Sequence, residues 1–137
     1  MAIEIDHLGI AVRGLDESLR FYRETLGMVV TQREKVAIER VSVAMLPIGN
    51  EPDSPRIELL EALDGDSVIA KFIEKRGPGL HHIALRVDDL AITIDRLREA
   101  GARLLNEPQR GAGGHLYAFV HPASTGGLLL ELIQKQS

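Results

Sequence analysis

The chain has 137 residues, 45% of them hydrophobic and 26% charged, with a net charge of -4 and no cysteine. A chain of this size and composition fits one soluble globular domain with its own core, and the acidic balance argues against a general binder of phosphate backbones. Without cysteine there are no disulfides, no thiolate metal sites and no cysteine nucleophile, so any metal must be held by nitrogen and oxygen.

From the N-terminus, Ile3-Glu4-Ile5-Asp6 places acids where a signal peptide needs a basic start. No apolar run approaches the roughly 20 residues of a membrane span, so the cytoplasm is the expected compartment. Ile5-Asp6-His7-Leu8-Gly9-Ile10-Ala11-Val12 mixes alternation with β-branched residues as a largely buried strand does. Leu15, Leu19, Tyr22 and Leu26 then recur at helical spacing up to Gly27, a residue suited to the left-handed conformation that closes a helix. Strands are expected at about 28–33, 40–48 and 56–61.

A connecting helix is expected over 66–75, with Val68, Ile69, Phe72 and Ile73 as its apolar positions, ended by the hinge Gly77-Pro78-Gly79. Leu80-His81-His82-Ile83-Ala84-Leu85-Arg86-Val87 then echoes the first strand, so that His7 falls on His82. Leu90, Ile94 and Leu97 repeat the helical spacing up to Gly101, and strands follow at about 103–105, 116–121 and 127–134. The chain therefore reads as one α+β domain, 1–137, written as two βαβββ repeats at about 3–63 and 79–135.

The last strands of the repeats also match. Ile57-Glu58-Leu59-Leu60 and Leu130-Glu131-Leu132-Ile133 each set an acid among apolar residues. Alone, a strand histidine is usually structural and a strand glutamate usually faces solvent. The duplication reverses that weighting, because each repeat places a histidine in its first strand and a glutamate in its last. A buried carboxylate needs a partner. Of the basic residues nearby, Arg56 and Lys135, Arg56 is expected to point away from Glu58. A divalent cation held by His7, Glu58, His82 and Glu131 serves all four, and two imidazoles with two carboxylates suit Co2+, Ni2+, Mn2+, Fe2+ or Zn2+ with positions left open for substrate.

Other candidates rank lower. His81 is expected on the opposite strand face from His82, and His121-Pro122 reads as turn architecture. The loop Gly111-Ala112-Gly113-Gly114 lacks a Walker lysine. Its backbone N–H groups at Gly113 and Gly114, with Arg110 and His115, nevertheless suit a carboxylate or phosphate of a substrate. Arg33-Glu34-Lys35 and Glu74-Lys75-Arg76 read as solvated turns and helix ends.

The whole chain resembles the vicinal oxygen chelate (glyoxalase/bleomycin resistance/dioxygenase) superfamily, in which paired βαβββ modules form an open cup-shaped mixed sheet around one metal ion. Asp6-His7-Leu8-Gly9-Ile10-Ala11-Val12, Phe21-Tyr22-Arg23-Glu24-Thr25-Leu26-Gly27, Ile57-Glu58-Leu59-Leu60-Glu61, Gly79-Leu80-His81-His82-Ile83-Ala84 and His121-Pro122 with the Gly127–Leu132 stretch resemble, more narrowly, the methylmalonyl-CoA epimerase family. That resemblance implies one divalent ion per chain, Co2+ foremost, on His7, Glu58, His82 and Glu131. It also implies a homodimer, and interconversion of (2R)- and (2S)-methylmalonyl-CoA through an enolate formed by loss of the C2 proton. Some family members carry a second catalytic glutamate on the strand before Pro47, where Ser42 aligns and cannot serve as a comparable base. The pseudo-symmetric Glu58 and Glu131 are therefore the expected catalytic pair. A glyoxalase I-like lyase uses the same ligand set and is the alternative, followed by a non-catalytic small-molecule-binding member of the superfamily.

Overall fold

The computed structural model describes residues 3–111 and 114–135. They form two compact units, one of residues 7–81 and one joining the N-terminal residues up to Asp6 to the part from His82 onward.

In the first unit, β1 (Glu4–Ala11), β2 (Gln32–Val36), β3 (Val41–Pro47) and β4 (Arg56–Ala62) run in the order β2-β3-β4-β1. The β2/β3 and β3/β4 pairs are antiparallel and β1/β4 is parallel. Register partners share a face and alternate residues change face, so the pairing sorts the side chains. Ile10, Val12, Ala44, Leu46, Ile57 and Leu59 pack with Leu15 and Leu19 of α1 (Leu15–Leu19). The other face presents Ala11, Val41, Val43 and Leu60 to Ile69 of α2 (Val68–Arg76).

The second unit repeats this plan. β5 (Gly79–Val87), β6 (Gln109–Arg110), β7 (Leu116–Val120) and β8 (Leu130–Gln134) run β6-β7-β8-β5, with β5/β8 parallel and β6/β7 and β7/β8 antiparallel. Leu90 and Ile94 of α3 (Leu90–Glu99) pack on Val87, Ala118, Val120 and Leu132. The α+β class, the mixed pairing and the two βαβββ modules expected from the sequence are thus what the structure shows.

Several boundaries differ from expectation for identifiable reasons. The segment 28–31 is not strand: Met28 and Val30 pack onto the α1 core while Val29 is exposed, and pairing starts at Gln32 against Met45. Arg33-Glu34-Lys35, read as a solvated turn, is instead the middle of edge strand β2, where charged side chains discourage pairing with another chain. Residues 103–105 contribute only a bridge from Leu104 to Val120.

Leu26, expected in the core, is exposed. The helix widens into a π-helical segment at Arg20–Thr25, which breaks the 3.6-residue spacing before Leu26 is reached. Val68, expected among the apolar positions of α2, is also exposed, whereas the buried Ser67 caps that helix by accepting the Ile69 N–H at 3.1 Å. Gly27 and Gly101 close their helices with φ of 79° and 83°, the left-handed geometry that glycine adopts without strain.

Candidate functional site

In β1, His7, Gly9 and Ala11 are buried in alternation, so all three point to one face. The register sets Gly9 beside Glu58 of β4. Glycine adds no side chain there, and the His7 imidazole and Glu58 carboxylate turn toward one another with Nε2 and Oε1 3.7 Å apart, their side chains 8% and 14% exposed. On the other flank of Glu58 lies Met45 of β3.

The second unit builds the same arrangement from different residues. Ala84, the next smallest choice, stands beside Glu131 in the β5/β8 register. His82 Nε2 lies 3.6 Å from Glu131 Oε1, both side chains again nearly buried. Phe119 of β7 flanks Glu131, and its ring meets the His82 imidazole edge-on with centroids 6.3 Å apart.

Both separations exceed a hydrogen bond. Two donors bonded at about 2.1 Å to a common ion lie at most about 4.2 Å apart, so each pair has the spacing and the chemistry of two cation ligands. A neutral imidazole and a carboxylate are donors that first-row divalent ions accept. The residues present therefore fit a metal of the kind the sequence suggested.

Two further residues repeat between the units, and sequence reading passed over them. Glu61, three positions after Glu58, accepts the Leu15 N–H at the start of α1 at 2.6 Å. Gln134, three positions after Glu131, accepts the Leu90 N–H at the start of α3 at 3.0 Å. Each site strand is thereby tied to its own helix, satisfying an N–H that the helix leaves without an internal acceptor. The signal was the shared spacing of three from each glutamate.

The remaining candidates separate. Arg56 is two residues from Glu58 and so shares its face, contrary to expectation, with His7 as its register partner. Lys135 is engaged elsewhere, 2.8 Å from Glu4 and 3.1 Å from Asp88. Ser42 pairs with Glu61 across β3 and β4 and lies on the α1 side, whereas the residues of β3 facing with Glu58 are Val41, Val43, Met45 and Pro47. His81 packs its ring edge-on against Phe72, with centroids 5.0 Å apart. His121 accepts the Ala123 N–H through Nδ1 at 2.9 Å, the turn role expected of it.

Near the glycine loop, Arg110 shares a face with Leu116 and donates to the Gly114 carbonyl at 2.7 Å. Besides Phe119, the residues of β6 and β7 on the Glu131 face are Gln109 and Tyr117, whose hydroxyl lies 3.1 Å from Gln109 Oε1. His115 stacks obliquely beside Tyr117 with centroids 6.2 Å apart, and approaches Gly111 so closely that a Cβ there would come within 2.9 Å of its Nε2. Gly113 lies outside the described residues.

The chain resembles known proteins over nearly its whole length. The pattern of the glyoxalase/bleomycin resistance protein/dioxygenase superfamily matches residues 6–119. An ethylmalonyl-CoA/methylmalonyl-CoA epimerase of Cereibacter sphaeroides is 40% identical over 133 residues, covering 95% of this chain and 96% of that protein. A probable lactoylglutathione lyase of Synechocystis is 33% identical over 132 residues, covering 96% and 95%. Among solved structures, a Streptomyces coelicolor methylmalonyl-CoA epimerase variant in complex with 2-nitronate-propionyl-CoA superposes with a TM-score of 0.86 at 37% identity, covering 98% of both chains. With a superfamily pattern matched across most of its length and full-length relatives at this identity, the chain belongs to the glyoxalase/bleomycin resistance protein/dioxygenase superfamily.

Proposed function

We propose that the protein is a methylmalonyl-CoA epimerase, interconverting the (2R) and (2S) thioesters, in which His7, Glu58, His82 and Glu131 hold one divalent cation, Co2+ foremost. The duplicated pair supports the metal site, since each unit sets one histidine against one glutamate at nearly the same separation. The observation that carries the epimerase reading is the 40% identity to an ethylmalonyl-CoA/methylmalonyl-CoA epimerase over nearly the full length of both chains. This reading treats the two repeats as one domain acting in the cytoplasm as a homodimer, in keeping with a cysteine-free chain. A cation there, when bound, supplies positive charge opposite the negative charge that develops on the substrate's oxygen.

The residues do the proton work. Inverting C2 through a planar enolate needs a proton acceptor on one face and a donor on the other, and positioned carboxylates suit both tasks. One glutamate takes the C2 proton, leaving the electron pair in the enolate, and the other returns a proton from the opposite side, so nothing is gained or lost overall. Ser42 lies on the α1 side and the Glu58-facing residues of β3 are apolar, which supports the reading of Glu58 and Glu131 as the pair.

Glutamine keeps an oxygen ligand but carries no exchangeable acid proton. Glu58→Gln and Glu131→Gln should therefore retain metal while suppressing inversion, each still exchanging the C2 proton of one epimer with solvent and preferring opposite epimers. A Glu58→Gln variant that epimerises at the wild-type rate would limit Glu58 to holding the metal. If glutathione hemithioacetal is turned over and methylmalonyl-CoA is not, the protein is a glyoxalase-type lyase instead.

A further inference from the structure

We propose that Met45 sets the size of the C2 substituent the site accepts, an inference that rests on the epimerase reading above. Across the strands at Glu58, the register runs Gly9, Glu58, Met45 and Gln32. Gly9 contributes no side chain. Directly opposed antiparallel residues hold their Cβ atoms about 4.5–5.5 Å apart on one face. A carbon close enough to give its proton to Glu58 is therefore within contact range of Met45.

The surroundings favour an alkyl group there. Met45 is partly buried and packs against the cluster of Ala11, Val41, Val43, Leu60 and Ile69, so the wall behind it is apolar. The thioether side chain is unbranched and adapts its shape to what it touches. The counterpart beside Glu131 differs: the Phe119 ring is held edge-on by both His82 and Tyr117, with centroids 6.3 and 5.9 Å away, and Tyr117 leads to the polar Gln109. Of the two flanking residues, Met45 is the adaptable apolar wall and Phe119 the fixed one.

The test compares C2-proton exchange of methylmalonyl-CoA, ethylmalonyl-CoA and propylmalonyl-CoA by the metal-loaded wild-type protein and by Met45→Ala, Met45→Phe and Phe119→Leu. One methylene in an apolar pocket changes discrimination by about 10-fold or more. Met45→Ala should raise kcat/KM for propylmalonyl-CoA relative to methylmalonyl-CoA by about that factor, and Met45→Phe should lower the ethylmalonyl-CoA ratio similarly. Phe119→Leu should lower all three rates together. Ratios that stay within about twofold of wild type in both Met45 variants, while methylmalonyl-CoA is still turned over, overturn this inference alone. A wild-type protein that exchanges none of the three thioesters overturns the epimerase reading and this inference with it.

Discussion

His7 and His82 illustrate how a residue acquires meaning from its repeat. Each is a strand histidine that alone would be ordinary, yet each lies beside a nearly buried glutamate at 3.7 or 3.6 Å. Removing a ligand should weaken metal binding by more than the roughly 10–100-fold that loss of an outer hydrogen-bond partner costs. Calorimetric titration should find one divalent ion per chain in the wild type and a greatly reduced affinity in His7→Ala or His82→Ala. Full occupancy in the double variant would show that the ligands lie elsewhere.

Lys135 makes a separate prediction about pH. Its hydrogen bond to Glu4, and then its charge, hold the Glu4 carboxyl below its ordinary value of 4.5. Hydrogen bonds to Glu4 and Asp88 in turn hold the Lys135 ammonium above its ordinary 10.5. A depressed carboxylate stabilises the fold above its unfolded-state value and loses that contribution as pH falls through its folded one; a raised ammonium contributes below its unfolded-state value and loses it as pH rises through the folded one. Lys135→Met should therefore flatten the stability profile on the acid side below 4.5 and on the alkaline side above 10.5, measured by thermal melts across pH. Glu4 is exposed and Lys135 is half-buried at the surface, so the effect should be small and shrink further in salt.

At the scale of elements, the sequence revealed more of the helices and inner strands than of the edges. The β1 and β5 strands, α3 and the glycine closures were legible because burial imposes a period on the side chains. β2 was not, since an edge strand is solvated on its outer side and its charged residues look like a turn. The π-helical segment was also invisible, because it moves Leu26 out of the core without changing composition. The helix caps from Glu61 and Gln134 depend on tertiary approach, though their equal spacing from the two site glutamates was in plain view. Loss of such a cap typically costs about 1 kcal/mol. Glu61→Ala should lower unfolding stability by that order in denaturant titrations, while Glu61→Gln should keep most of it, since Gln134 fills the same role with an amide. Leu19→Ala, at a fully buried position against β3 and β4, should cost about 2–5 kcal/mol.

For the whole molecule, duplication is what made a site readable at all. The four proposed ligands and the βαβββ order followed from matching one half of the sequence to the other. The choice of Gly9 and Ala84 beside the two glutamates, and of Met45 and Phe119 on their far sides, required the strand register. These last residues differ between the two halves. The Glu131 side carries rings and a tyrosine hydroxyl, and the Glu58 side carries aliphatic and thioether groups.

In the proposed reaction two largely buried carboxylates move the C2 proton of a malonyl thioester while a divalent ion is held beside them. Nuclear magnetic resonance of (2R)- and (2S)-methylmalonyl-CoA in D2O, with glutathione hemithioacetal assayed on the same preparation, tests it most directly. Metal-loaded protein should incorporate deuterium at C2 and bring both epimers to one mixture, lose both activities on chelation, regain them on adding Co2+, and turn over little hemithioacetal. Metal-loaded protein that leaves the C2 proton of both epimers in place would contradict it.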